Sequence, residues 1–258
     1  MSRIEQTFAR LKQQNRKALV GFLVAGDPDL EASERYCREA LQNGVDVLEL
    51  GVPFSDPTAD GPVIQAAGQR SLAAGTTISK VLAMAKRLRC DFHAPIVLFG
   101  YANPYFSYGY EQLARDAAEA GVDAFLVVDL PFEESGELKV HLDRFGLELI
   151  TLIAPTTPDE RLTTLLKEAR GFVYYIMVKG VTGARTEVAV DVSGHLARLR
   201  QHTRLPVAAG FGVSNGAQAR EAARHADGVV VGSALVKAAV EGRLADLVKE
   251  LRLALDAP

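Results

Sequence analysis

The chain contains no tryptophan and, in 258 residues, only two cysteines and three methionines. Cys37 and Cys90 fall on expected helices with no Cys or His at ligand spacing, so neither a disulfide framework nor a zinc site is expected. Also missing is any uninterrupted apolar run of roughly 18 residues, which excludes a membrane-spanning helix. The opening Met1–Phe8 lacks the apolar core of a signal segment, and the cytosol is the expected compartment. Long basic or acidic runs are absent too. With 29 Lys and Arg against 32 Asp and Glu, the formal net charge is -3, which carries no electrostatic footprint for nucleic acid or a membrane surface. What is present is a 48% hydrophobic composition, enough to bury a sizeable core, and small molecules are the expected partners.

An amphipathic opening helix, about Arg3 to Gln14, precedes a repeated alternation of short apolar runs and helix-period segments, the pattern of βαβ units and a parallel sheet. Strands are expected at Ala18–Val24, Val47–Val52, Ile96–Tyr101, Ala124–Asp129, Glu148–Ile153, Phe172–Val178, Val207–Ala209 and Gly228–Val231. About eight such units close into an α/β (β/α)8 TIM barrel. No linker or low-complexity stretch interrupts them, which favours one barrel domain over 1–258 against a doubly wound open sheet. Extra helices are expected at the N-terminus, after the second strand (Pro62–Ala74) and near the C-terminus (Arg243–Leu253).

The second strand carries a carboxylate in its middle. Alternation puts Val47, Glu49 and Gly51 on one face and Leu48, Leu50 and Val52 on the other, so Glu49 points into an interior among apolar neighbours. Desolvation there raises its pKa toward neutrality, and Asp60 in the following loop offers a second carboxylate for acid and base chemistry. The bland reading is a core carboxylate paired with Arg or Lys, with Asp56 and Asp60 as turn residues before Pro57 and Gly61. Barrel enzymes work from the loops after their strands, where Asp60, Thr182, Gly183 and Gly212 all fall. Ala209–Ser214 and Val231–Ala234, after the last two strands, suit a phosphate ester, with Ser233 capping a helix whose amides face outward; either loop alone also reads as routine strand-to-helix punctuation, and the two together favour phosphate. Lys179–Glu187 has the two glycine hinges and polar side chains of a mobile lid that would bring Thr182 to Asp60, the alternative being a plain surface loop, which the loop taken alone slightly favours. Of Tyr174 and Tyr175, one must face the interior. The five histidines, away from these loops, read as surface or structural residues.

Glu49–Pro57 followed by Ala59–Pro62 resembles the signature of the tryptophan synthase α subunit family. The resemblance continues through Gly21-Phe22, Tyr101–Pro104, Asp129–Pro131, Gly180–Gly183, Gly210–Ser214 and Val231–Ser233, in order along nearly the whole chain. It implies retro-aldol cleavage of indole-3-glycerol phosphate to indole and glyceraldehyde 3-phosphate, with no metal and no cofactor in this chain. Under it, Glu49 moves protons at indole C3 and the glycerol hydroxyl, Asp60 stabilises charge at the indole N–H, and Tyr174 is the active-site tyrosine. Phe22, Phe99, Tyr101 and Leu126 line the indole pocket, Thr182 and Phe211 also belong to the substrate site, and Gly183, Gly212, Gly232 and Ser233 hold the phosphate. It further implies a pyridoxal phosphate-dependent β subunit in an αββα heterotetramer, contacted through Pro53, Asp56, Pro57 and Asn103 and receiving indole through a tunnel.

Departures from the family pattern are Met177 in place of a small Ser, the unusual pair Phe99-Gly100, and Gly216-Ala217 in place of Pro-Glu, which removes a capping partner for Ser214. The rival readings are another phosphate-binding barrel, a chain that mainly activates its partner, and an indole-releasing enzyme that works alone.

Overall fold

The computed structural model of the chain describes residues 1–176, 187–210 and 212–257, the side chains of 187–192 excepted. Its centre is a parallel sheet of β1 (Ala18–Val24), β2 (Val47–Gly51), β3 (Ile96–Gly100), β4 (Ala124–Val127), β5 (Glu148–Leu149), β6 (Thr151–Ile153), β7 (Val173–Ile176), β8 (Val207–Gly210) and β9 (Gly228–Val231). The strand order is β5-β4-β3-β2-β1-β9-β8-β7-β6. Only Ile150 separates β5 from β6, so the two edges of the sheet are halves of one strand and the sheet wraps into a nearly closed barrel.

That break corrects the expected single strand Glu148–Ile153. Its first half pairs with β4 (Ala124↔Glu148, Phe125↔Leu149) and its second with β7 (Thr151↔Val173 to Ile153↔Tyr175). Ile150 makes the change of partner, donating its N–H to the Phe125 carbonyl at 2.8 Å. Beyond that bond, the C-terminal half of β4 and the facing edge of β6 have no ladder between them among the described residues. Other boundaries move by one to three residues: Tyr101 leaves β3 to cap the next helix, Val52 lies beyond β2, Val128 and Asp129 lie beyond β4, and Gly210 joins β8.

Around the barrel run α1 (Arg3–Gln13), α2 (Leu30–Gln42), α3 (Pro62–Ala73), α4 (Ile78–Asp91), α5 (Ala102–Tyr108), α6 (Tyr110–Glu119), α7 (Gly136–Arg144), α8 (Asp159–Lys167), α9 (Glu187–His202), α10 (Gly216–Ala223), α11 (Ser233–Val240) and α12 (Leu244–Asp256). α1 begins in a capping box between Ser2 and Glu5, which satisfies two otherwise free amides. Its apolar face, Ile4, Phe8 and Leu11, closes the N-terminal end of the barrel, with the Phe8 ring 5.6 Å from that of Phe172. Asp123, at the start of β4, holds the closure: it accepts from Arg3 and Arg89, both at 2.7 Å, and from the Ile96 N–H.

Strand alternation sorts the two cores. Val20, Val47, Val97, Leu126 and Tyr174 point into the barrel, while Leu48, Leu50, Leu98 and Phe125 face the helices. At the far end of the chain Arg252 of α12, almost fully buried, donates to Asp46 at 2.7 Å, to the Lys17 carbonyl at 2.8 Å and to Asp256 at 2.6 Å. Both cysteines are free: Cys37 is buried, its thiol pushed up to about 12 by desolvation, and Cys90 is exposed. Among the described residues no helix is long and apolar enough to cross a membrane.

Candidate active site

Glu49 sits inside the barrel, 0% exposed, between Phe22 of β1 and Val97 of β3 in the strand register. Among the described residues neither carboxylate oxygen has a hydrogen-bond partner. The bland reading required a buried Arg or Lys, and the described residues supply none. Desolvation alone lifts its pKa to about 8, so the side chain carries a proton at neutral pH. Tyr174, inward from β7, is close enough for the Glu49 charge to add to burial in raising its phenol pKa. A Cβ on Gly210 would come 2.5 Å from the Tyr174 hydroxyl, so the bare glycine in β8 makes room for the ring. Tyr175 turns outward into the α8–α9 side.

Asp60 lies in the loop after β2, held by a different set of contacts. The Tyr101 hydroxyl accepts the Ala59 N–H at 3.1 Å and stands near enough to the Asp60 carboxylate to favour its charged form, while Gln65 donates to the Asp60 carbonyl at 2.9 Å. Burial outweighs the effect of Tyr101, and the Asp60 carboxyl stands above its ordinary value. Tyr101 is itself 2% exposed and packs against Phe54 with ring centroids 5.3 Å apart.

Asp60, Phe22, Phe99, Tyr101, Pro53 and Pro57 surround one cavity, joined by Val24, Ile64 and Gly68, which sequence reasoning did not single out. The signal was available: Ile64 and Gly68 are one helical turn apart on α3, directly after Asp60. The cavity is small, about 20 Å³, room for one water. On its wall Phe22 and Phe99 meet edge to face, with ring centroids 4.9 Å apart.

A larger cavity of about 420 Å³ lies across the barrel top, within the usual range for small-molecule sites. Its inner wall is Val128, Ile150, Leu152 and Ile176, and its outer wall includes Phe132, Lys139 and Arg161. It follows the unladdered edge between β4 and β6, which no reading of local periodicity reveals. Leu126 stands on the inner wall of the barrel opposite Phe99 in register and is fully buried.

On the last two loops, Gly212 has φ +73°, a conformation open chiefly to glycine. The expected cap is corrected at Ser233: α11 is capped by Gly232, Ser233 is its first residue, and no side-chain bond closes that end. The Leu235 and Val236 amides donate to the Gly232 carbonyl, which leaves the Ser233 and Ala234 amides to face an anion. Gly232 also approaches Phe22, at 3.6 Å from a Cβ built on it. The missing capping partner of Ser214 is also corrected. Asn215 caps α10 by accepting the Gln218 N–H at 3.0 Å, and the Gln218 side chain accepts from both the Ser214 N–H and hydroxyl at 2.9 Å. Thr182, Gly183, Phe211 and Met177 lie outside the described residues. Asp56 is exposed on its loop and Asn103 in the first turn of α5, and Pro53 and Pro57 are half-buried. None of the five histidines lines either cavity.

The sequence profile of the family described as tryptophan synthase alpha chain matches residues 8–254. The chain belongs to the tryptophan synthase alpha chain family. It is 51% identical to the tryptophan synthase alpha chain of Geobacter sulfurreducens over 251 residues, 97% of this chain and 95% of that one. Among solved structures, the tryptophan synthase alpha subunit of Legionella pneumophila superposes with TM-score 0.92 at 35% identity, covering 99% of both chains. A chain from Mycobacterium tuberculosis tryptophan synthase gives 0.92 at 36%, covering 100% and 99%. The tryptophan synthase alpha chain is a lyase that cleaves indole-3-glycerol phosphate, and a (β/α)8 barrel is the fold shared with these neighbours.

Proposed function

We propose that this chain releases indole from indole-3-glycerol phosphate using Glu49 and Asp60, and hands the indole to a β subunit in an αββα heterotetramer in the cytoplasm. The observation that carries the assignment is Glu49: a fully buried carboxyl with no partner among the described residues and a pKa of about 8, matched to proton exchange near neutral pH. In this reading protonated Glu49 delivers its proton to indole C3, and Asp60, ionised, stabilises the positive charge that appears on the ring N–H. The Glu49 carboxylate then takes the proton of the adjacent glycerol hydroxyl. The C–C bond breaks, its electron pair returns to the ring, and the hydroxyl carbon becomes the aldehyde of glyceraldehyde 3-phosphate. Glu49 ends protonated, as it began.

Tyr174 lies beside Glu49, Phe22, Phe99, Tyr101 and Leu126 frame the ring, and Gly212, Gly232 and Ser233 offer amides to the phosphate, with Thr182, Gly183 and Phe211 completing the substrate site. Pyridoxal phosphate chemistry belongs to the β partner, met through Pro53, Asp56, Pro57 and Asn103; the exposure of Asp56 and Asn103 supports that contact. The chain is read as one barrel domain, since a single sheet organises all its strands.

The test is indole release from indole-3-glycerol phosphate by the purified chain, alone and with a tryptophan synthase β subunit. Slow release that rises with the partner is expected; fast release by the chain alone would favour an independent lyase. Glu49→Gln and Asp60→Asn are each expected to lower kcat by about 10²–10⁴-fold while the circular dichroism spectrum stays unchanged. Undiminished turnover in either variant removes that residue from the mechanism.

A further inference from the structure

Asp129, in the loop after β4 and on the lining of the larger cavity, has no place in the proton transfers above. Its carboxylate accepts the Ala102 N–H at 2.7 Å. Ala102 is the first residue of α5 and Tyr101 is its cap, a position where the cap side chain itself makes no capping bond. The amide therefore depends on Asp129, and a charge-assisted bond of this length is among the stronger ones available to a backbone N–H. The same loop is tied to the end of β3 by the Val128 N–H on the Gly100 carbonyl at 3.1 Å.

Tyr101, fixed on this side, grips the Asp60 loop at two points, its hydroxyl accepting the Ala59 N–H and its ring packing on Phe54, and its hydroxyl stands near enough to the Asp60 carboxylate to favour the charged form. The space behind it is filled. Tyr105, one turn along α5, is 0% exposed, and its hydroxyl would meet a Cβ at Gly100 at 2.6 Å. The start of α5 thus has little room to shift while Tyr105 stays packed, and Asp129 sets its remaining freedom, the direction of the first turn.

We infer that Asp129 is a positioning residue for the reaction: by holding the first amide of α5 it orients Tyr101, and through Tyr101 it sets where the Asp60 carboxylate stands over the indole ring. The inference rests on the assignment of Asp60 above. Asp129 touches neither substrate nor the reacting atoms in this account. Its effect is transmitted by one backbone amide and one phenol.

Three variants test it with the complete chain and indole-3-glycerol phosphate. Asp129→Ala is expected to lower kcat about tenfold with KM within about twofold, since misplacement of a charge-stabilising group costs the transition state rather than the bound substrate. Asp129→Asn keeps a carbonyl oxygen facing the Ala102 N–H and is expected to recover most of that loss, which a general loss of negative charge on the loop would not allow. Tyr101→Phe breaks the relay, and adding Asp129→Ala to it is expected to cost no further kcat, so the pair is non-additive. Equal kcat for the Ala and Asn variants, an effect on KM alone, or additive losses in the double variant would each overturn the inference. Because Asp129 is exposed, its variants are expected to fold, and urea midpoints within the error of the parent chain check this. If Asp60→Asn abolishes turnover while Asp129→Ala leaves kcat intact, only the positioning role fails. If Asp60→Asn is itself fully active, the underlying assignment fails instead.

Discussion

At the scale of the residue, Glu49 sets the pH behaviour of the whole chain. Its carboxyl has a pKa of about 8 against 4.5 for an ordinary glutamate, so between those values the folded chain holds a proton the unfolded chain has released. The unfolded state binds fewer protons there, and stability falls as pH rises from about 4.5 to 8. Glu49→Gln keeps the shape and removes the ionisation. The variant is expected to gain roughly 1–2 kcal/mol over the parent at pH 8 and much less at pH 5, measured by urea unfolding at both. Equal differences at the two pH values would show that Glu49 is not held protonated. In catalysis the same proton is the one delivered to indole C3, so kcat/KM is expected to fall above about pH 8. A profile flat to pH 9.5 would exclude Glu49 as the acid.

At the scale of the element, helix α1 was readable in advance because everything that makes it is local: a Ser2–Glu5 capping box and apolar residues at helical spacing. Its partner was not readable. That Phe8 closes the barrel against Phe172, 164 positions away in the chain, depends on the sheet having curled first. Phe8→Ala is expected to cost about 3 kcal/mol, seen as a lower urea midpoint with an unchanged slope, while Glu49 and Asp60 stay in place and kcat is preserved. The fifth strand shows the opposite case. Glu148–Ile153 reads as one apolar run, yet it changes partner at Ile150, because hydrogen bonding to β4 and to β7 is satisfied on different halves. Periodicity describes which face a residue takes and says nothing about which neighbour its backbone finds.

At the scale of the molecule, the ends of the chain are joined by buried charge. Burial lifts the Asp46 carboxyl even with Arg252 against it, so taking Arg252 away removes the guanidinium from a buried carboxylate that keeps the Leu19 N–H at 2.9 Å, and takes the Arg252 donor from the Lys17 carbonyl. Arg252→Ala is expected to cost about 3 kcal/mol, read as a fall in the urea midpoint, with catalysis unaffected at temperatures where the chain stays folded. A loss under about 0.5 kcal/mol would place the pair with surface ion pairs.

The order of strands and helices, the inward face of Glu49, the loop position of Asp60 and the closed-barrel class were determined by sequence alone, because alternation, helical spacing and turn chemistry act over a few residues. The tertiary structure decided what depends on distant segments meeting. Phe22 and Phe99 come from different strands and meet edge to face on the wall of one cavity. Asp129 reaches Asp60 only through the start of α5 and the Tyr101 hydroxyl. Each is a contact between groups far apart in the chain or on different elements, made by closing the sheet, and no local pattern encodes it.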